Sequence, residues 1–462
     1  MQVTTLDMKQ QHLTALIERY TKRTQTSKQM TQAYRPLLAD PRVPDWFNLS
    51  TKEMCYLIVG KKSKGSRIWD IDNNEYVDII MGFGANLLGH NPQFIQEAII
   101  EQLEKGIPLG PQSEVVGEVA KLISEMTGME RVAFSNTGTE AVMTAIRLAR
   151  AATKRNKIVI FSGAYHGHFD GTLAKAQTNK NPEAVPITPG VLPGMIEDVL
   201  ILDYGSSQSL EIIKTYQDEL AAVLVEPIQT RRPDLQPQEF LQQLRQLTQK
   251  SGITLIFDEM ITGFRLHLGG AQSWFGVEAD IATYGKVVGG GMPIGVIAGK
   301  ATYMDKIDGG MWNYGDTSSP EVERTFFAGT HCKHPLSMAA AWAVLKYLKL
   351  QGSSLQAELN QRTSQYVERL NVFFAAKHLP IRMANFGSFF GPVFREEFLS
   401  GDVASIMMGL DLLRYHLFDR GVLLRGEGGG FLSTSHTDED VDYIVQAMKD
   451  SINEIQAAGF LP

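Results

Sequence analysis

Lys286 stands alone among glycines in Tyr284-Gly285-Lys286-Val287-Val288-Gly289-Gly290-Gly291, directly after a short apolar run. Glycine-rich backbone lets a ligand approach closely, and a lysine held there can be desolvated, which lowers its pKa and frees the amine for Schiff-base chemistry. A phosphate-binding lysine is the competing reading, but the order Gly-x-x-x-x-Gly-Lys-[Ser/Thr] is absent. Two acids, Glu226 and Asp258, each follow a strand-like run, Val223-Leu224-Val225 and Leu255-Ile256-Phe257. Acids at neighbouring strand ends suit a magnesium pair, an acid–base pair or partners for a cationic cofactor. The plain alternative is a solvated acid ending a strand. For Asp258 that alternative is the weaker one, because its apolar lead-in carries the carboxylate to where it needs a partner.

Two loops add to the set. Ser135-Asn136-Thr137-Gly138-Thr139-Glu140 precedes a strong helical stretch, 142–153, so Ser135, Gly138 and Thr139 sit where free N–H groups at a helix start can take an anion. A plain N-cap supplied by Ser135 or Thr139 fits the same text. Ser162-Gly163-Ala164-Tyr165-His166-Gly167-His168 places an aromatic ring and two histidines on a loop. A metal on His166 and His168 lacks a third ligand at suitable spacing, so no metal is expected and backbone-bonded loop histidines are the simpler reading. Lysine, strand-end aspartate, helix-start Gly138-Thr139 and loop aromatic Tyr165 together meet the needs of pyridoxal phosphate.

The elements that must position these residues are legible in outline. Short apolar runs at 132–134, 158–161, 221–225 and 254–257 alternate with helical stretches between about 89 and 299. Runs apolar on both faces imply a mostly parallel sheet covered by helices, with ligands at the carboxyl ends of its strands. Leu13, Ile17 and Tyr20 mark an amphipathic lead-in helix, and Asp72-Asn73-Asn74 a hairpin turn within 66–78. After Leu350 a long helix with Leu355, Leu359, Tyr366 and Leu370 is followed by strand-like 380–383 and 422–424 and a final helix from about Asp438. The expected class is α/β, a large domain at 89–345 and a smaller α+β domain drawn from 1–88 and 346–462.

Composition narrows the partners. The chain has 462 residues, 44 Lys+Arg against 51 Asp+Glu, and a net charge of -7 without a basic block, so nucleic acid is not expected. Cys55 and Cys332 lie far apart, which argues against a disulfide framework and for a reducing compartment. No apolar run approaches the ~18 residues of a membrane span, and residues 1–7 lack the pattern of a secretory signal. A cytoplasmic protein without a membrane partner is expected.

Segments 135–150, 164–171, 257–265, 284–295 and 328–335 resemble the motifs of class III, fold-type I pyridoxal-phosphate aminotransferases, most closely the glutamate-1-semialdehyde aminomutase branch. The resemblance runs from about Arg35 to the C-terminus. It implies that Lys286 forms the Schiff base and moves the proton, and that Asp258 pairs with the pyridinium nitrogen. It further implies that Tyr165 and Met260 flank the ring, with Ser135 and His166 in the surrounding cofactor-binding set, while Gly138 and Thr139 hold the phosphate. Thr330 is implied to reach the phosphate of a neighbouring subunit in a homodimer with shared sites, Glu226 to orient the cofactor or substrate, and pyridoxamine phosphate to be the intermediate form.

Two departures bear on the substrate. Many class III enzymes acting on free amino acids carry an arginine near the C-terminus for the α-carboxylate; here Phe431-Leu432-Ser433-Thr434-Ser435-His436-Thr437 has none, and nearby Arg425 is out of register, which leaves Arg35 as the candidate or as a plain ion-pair residue. After Glu226 the chain reads Pro227-Ile228-Gln229-Thr230-Arg231-Arg232-Pro233-Asp234, similar to aminotransferase domains embedded in polyketide and nonribosomal peptide synthases. Gln229, Arg231 and Arg232 are therefore read as substrate-binding, the arginines receiving the phosphate of a phosphopantetheine arm; a solvated charged loop is the bland alternative. The expectation is an aminotransferase that converts a 3-oxoacyl thioester on an acyl carrier protein to a 3-aminoacyl thioester with an amino-acid donor such as glutamate. The rivals are a free-standing glutamate-1-semialdehyde aminomutase and a catalytically silent binding relative.

Overall fold

The computed structural model describes residues 5–42, 47–178, 181–394, 403–424, 426 and 428–461. The chain divides into two compact units, one of residues 93–358 and one of residues 1–92 with 359–462.

The first unit is built on a nine-stranded sheet in the order Arg131–Ser135, Gly295–Gly299, Ile281–Gly285, Thr254–Asp258, Leu220–Val225, Lys157–Phe161, Val199–Leu202, Asn181–Pro186, Ala174–Thr178. The run from Ile281–Gly285 to Val199–Leu202 is parallel, as its apolar text implies. Leu220–Val225 and Thr254–Asp258 are buried along their whole length, which is why these strands read as unbroken apolar runs. The sheet is mixed at its ends, because Gly295–Gly299 runs antiparallel to both of its neighbours. Two reversals restore direction, so Arg131–Ser135 ends at the same edge as the parallel strands.

The helix Gly138–Thr153 covers one face of this sheet. Ala141, Val142, Ala145, Ile146, Leu148 and Ala149 are buried against Ile158, Ile160, Leu224, Ile256, Ile281 and Ile297. Those strand residues alternate with neighbours that face the other side. Truncating Ile146 to alanine removes packing worth about 2–5 kcal/mol and loosens the helix whose first turn borders the site.

The second unit carries the lead-in helix Thr5–Arg23, where Leu13 and Tyr20 are buried as expected, together with Leu16. Arg67–Asp70 and Glu75–Asp78 form the expected hairpin, with Asn73 in the left-handed region at φ 67. They join Gly60–Lys64 and Val422–Leu423 in a four-stranded sheet. The unit also holds a three-stranded sheet of Ile381–Phe386, Phe389–Phe394 and Gly430–Phe431 and, among its helices, Val403–Asp419 and Asp438–Ala457. The final helix starts at Asp438, as expected, behind a capping box of Thr437 with Asp440. Among the described residues no helix is long and apolar enough to cross a membrane.

Candidate active site

Sheet register brings the sequence candidates to one edge. Gly295 pairs with Ser135 on one side and Gly285 on the other, so the chain continues into Asn136 and into Lys286 from flanking positions. An added Cβ on Gly295 would lie 2.1 Å from the Thr137 carbonyl oxygen and 2.3 Å from Ser135 Oγ, so only glycine permits this approach. Lys286 itself takes φ 44, an uncommon conformation for a side-chain-bearing residue. It is half-buried at the end of Ile281–Gly285.

Asp258 ends the adjacent strand, in register with Thr283, and is 4% exposed. Its Oδ1 accepts the Met260 N–H and the Thr283 hydroxyl, each at 3.2 Å. Its Oδ2 lies 2.8 Å from His166 Nδ1. His166 is thus not the backbone-bonded loop histidine of the simpler reading: it is buried and paired with a carboxylate, and its Nε2 is a buried atom without a hydrogen-bond partner. His168 is exposed, and its N–H donates to Thr139 Oγ1 at 3.3 Å. Among the described residues no group of three or more His, Cys, Asp or Glu could hold a metal ion.

The helix-start loop is capped, but by neither Ser135 nor Thr139. Thr137, in extended backbone, accepts the Glu140 N–H at 3.2 Å, and Glu140 Oε2 accepts the Asn136 N–H at 2.7 Å. Ser135 is still in its strand and turns its hydroxyl to the Thr137 carbonyl, while Thr139 faces the histidine loop. The first intrahelical bond runs from Ala141 N–H to the Thr137 carbonyl, which leaves the Gly138 and Thr139 N–H groups ahead of the ladder. Met260 packs onto Gly138 and Gly285: a Cβ on either would come within 2.9 Å of its sulfur. Gly167 lies against Thr139 in the same way, with a Cβ 2.4 Å from Oγ1.

Glu226 is buried at the end of Leu220–Val225, and its carboxylate accepts the N–H groups of Tyr165 and Thr230. Burial pushes its pKa up; His166 opposes this and Asp258 adds to it. Tyr165 is 60% exposed. Gln229 is 2% exposed and donates its amide to the Ser162 carbonyl at 3.0 Å. Arg231 and Arg232 are exposed, and Arg232 is engaged by Asp234 at 3.1 Å. Thr330 is exposed on a stretch without regular structure. Arg35 lies in the other unit, exposed at the end of Gln25–Tyr34, and Arg425 lies outside the described residues.

Sequence reasoning passed over Glu259, Glu140 and Thr283. The Glu259 carboxylate accepts the N–H groups of Ala271 and Gln272 and the Thr262 hydroxyl, and burial lifts its pKa to about 7. Its position directly after a strand-end acid was the available sign.

The donor set suits one kind of group: a buried carboxylate for a ring cation, free helix-start N–H groups for a phosphate, and a lysine between them in sheet order. The orphaned Nε2 of His166 adds a buried polar atom in want of a partner beside that carboxylate.

Comparison with known proteins agrees. The family described as Aminotransferase class-III matches residues 49–437. A curated glutamate-1-semialdehyde 2,1-aminomutase 2 of Lachnoclostridium phytofermentans is 36% identical over 390 residues, covering 83% of this chain and 88% of that one. The solved ω-transaminase of Sphaerobacter thermophilus is 27% identical with a TM-score of 0.82, covering 93% of this chain and 98% of that one. The β-phenylalanine aminotransferase of Variovorax paradoxus is 28% identical with a TM-score of 0.81, covering 98% and 99%.

Proposed function

We propose that this chain, which belongs to the class III aminotransferases and works with pyridoxal phosphate, exchanges amine and aldehyde within glutamate 1-semialdehyde to give 5-aminolevulinate. The observation that carries the reading is the 36% identity, over 83% of the chain, to a curated enzyme named for that reaction. The stretch 431–437 is in keeping with it: it holds no arginine for a carboxylate, and its His436 is buried with Nδ1 2.9 Å from Ser433 Oγ and Nε2 3.1 Å from the Asp78 carbonyl.

Pyridoxal phosphate, when bound, supplies the electron sink that lets a carbon beside nitrogen give up a proton. Lys286 holds it through the amine, and Lys286 Nζ takes up and delivers the proton that the substrate carbon loses. Asp258, itself oriented by His166, Thr283 and the Met260 N–H, keeps the ring nitrogen protonated. The Gly138 and Thr139 N–H groups and the Thr139 hydroxyl receive the phosphate. Ser135 lies beside Gly295, and Met260 and Tyr165 would flank the ring when it is bound. Thr330 serves the phosphate of a second copy in a homodimer. The exposure of Trp312, Tyr314 and Phe326 on the same irregular stretch, Tyr314 at 91%, supports an unmet partner surface there.

A second reading keeps the chemistry and changes the substrate to a carrier-bound 3-oxoacyl thioester with an amino-acid donor. It is favoured by the similarity to an aminotransferase named for a β-amino acid and by the exposed Arg231 and Arg232. The Arg232–Asp234 pair weakens it, since that guanidinium already has a carboxylate.

Donor dependence separates the two. Purified holoenzyme given glutamate 1-semialdehyde alone should form 5-aminolevulinate without any added donor. Absence of that product, together with a donor-dependent ketone-to-amine mass shift on a loaded carrier, would replace the first reading with the second. Arg231→Ala with Arg232→Ala should leave semialdehyde turnover within about twofold, as for exposed charges.

A further inference from the structure

The loop that carries Tyr165 is fixed at its backbone although its aromatic ring is exposed. Glu226 Oε2 accepts the Tyr165 N–H at 3.2 Å, and Oε1 accepts the Thr230 N–H at 3.1 Å, so one buried carboxylate ties this loop to the turn after its own strand. Gln229, on that turn, donates Nε2 to the Ser162 carbonyl at 3.0 Å. Its Oε1 faces Gly163, which sits at φ 82 and where an added Cβ would come to 3.3 Å. One residue beyond Tyr165, His166 is held by Asp258. Positions 162, 165 and 166 are therefore anchored, and Gly163 admits the close approach of Gln229.

An exposed ring on a free loop would have to be ordered each time it stacks on a ligand, at a cost in conformational entropy. Anchors on both sides of Tyr165 remove that cost in advance. Neither anchor is a surface contact: both acceptor groups of Glu226 and the donor group of Gln229 are spent on backbone, and both side chains are withdrawn from solvent.

We propose that Glu226 and Gln229 are positioning residues that set the height and tilt of the Tyr165 ring and thereby the retention of the cofactor. The sequence reading had Gln229 on the substrate; here it acts through Tyr165. The inference rests on the proposed placing of Tyr165 over the cofactor ring.

The test is a double-mutant cycle on the holoenzyme, read as the dissociation constant for pyridoxal phosphate and as visible circular dichroism of the bound cofactor. Gln229→Met keeps the length and removes the amide. It should weaken retention about tenfold, the scale of one buried hydrogen bond, and alter the dichroic band, with the melting temperature within a few degrees of wild type. In a Tyr165→Leu background the same change should cost less than about twofold. Glu226→Gln, whose amide nitrogen must face one of the two N–H groups, should show the same dependence on Tyr165. If Gln229→Met does not fold, Gln229→Glu, which sets an acceptor against the Ser162 carbonyl, is read identically. A tenfold loss in both backgrounds, or none in the wild-type background, overturns the brace. Wild-type protein that takes up no pyridoxal phosphate overturns the functional reading as well, so the two failures are distinct.

Discussion

His166 Nδ1 lies 2.8 Å from Asp258 Oδ2, and both side chains are withdrawn from solvent. His166 lies on the loop after Lys157–Phe161 and Asp258 is the last residue of Thr254–Asp258, strands separated in the sheet by Leu220–Val225. A carboxylate buried this deeply needs donors, and here they are an imidazole, a backbone N–H and the Thr283 hydroxyl. The arrangement fixes which face of the carboxylate remains for a ligand.

Replacing Asp258 with asparagine keeps its shape and removes its charge. The turnover number should fall by on the order of 100-fold or more, the scale of losing one preorganised electrostatic partner. His166→Phe should give a smaller loss, about tenfold, because Asp258 keeps two of its donors. Steady-state rates and the visible spectrum of both variants check this order; a His166 variant as impaired as Asp258→Asn would make the histidine the primary partner.

Glu259 gives a stability signature. Its folded pKa is raised to about 7 by burial, so the protonated form is favoured in the native state. The associated stability is full below the ordinary carboxyl pKa, about 4.3, and is lost as pH rises through about 7. Thermal unfolding should therefore show a falling component between about pH 4.5 and 7 that is absent in Glu259→Gln. A Glu259→Gln protein with the wild-type pH slope would place that titration elsewhere.

The lead-in helix carries a second pH response, of opposite sense. His12 Nε2 is 3.0 Å from His416 Nε2, and the rings are stacked at 5.0 Å. Burial lowers the His12 pKa to about 4, helped by His416, Arg19 and Arg420 and opposed by Glu454. A depressed histidine pKa means that native stability is present above about 6.5 and is lost as pH falls toward 4. Hydrogen exchange should show Thr5–Arg23 losing protection over that window, and His12→Gln should flatten the change. Lys9 with Ser405 and Arg19 with Asp419 tie the helix at two points along its length to Val403–Asp419, so loosening rather than release is expected.

Much of this was legible in the residues, for identifiable reasons. The parallel strands are apolar on both faces, so Val223-Leu224-Val225 and Leu255-Ile256-Phe257 marked both the sheet and the acids at its edge. Lys286 was conspicuous because glycines surround it. The cap was misplaced because Ser135, Thr137 and Thr139 are equivalent as text, and only the extended backbone of Thr137 makes it the capping residue. The His166–Asp258 pair was out of reach because it depends on which strands are neighbours, information that no local pattern carries. Gln229 reads as a substrate residue beside two arginines, and no local pattern announces that it is buried with its amide donated to the Ser162 carbonyl.

The most direct measurement reduces the pyridoxal-phosphate-loaded enzyme with borohydride and maps the pyridoxyl label by peptide mass. The account predicts the label on Lys286 alone, and none after Lys286→Ala. A label on another lysine, or a folded Lys286→Ala protein that labels as wild type does, would contradict it.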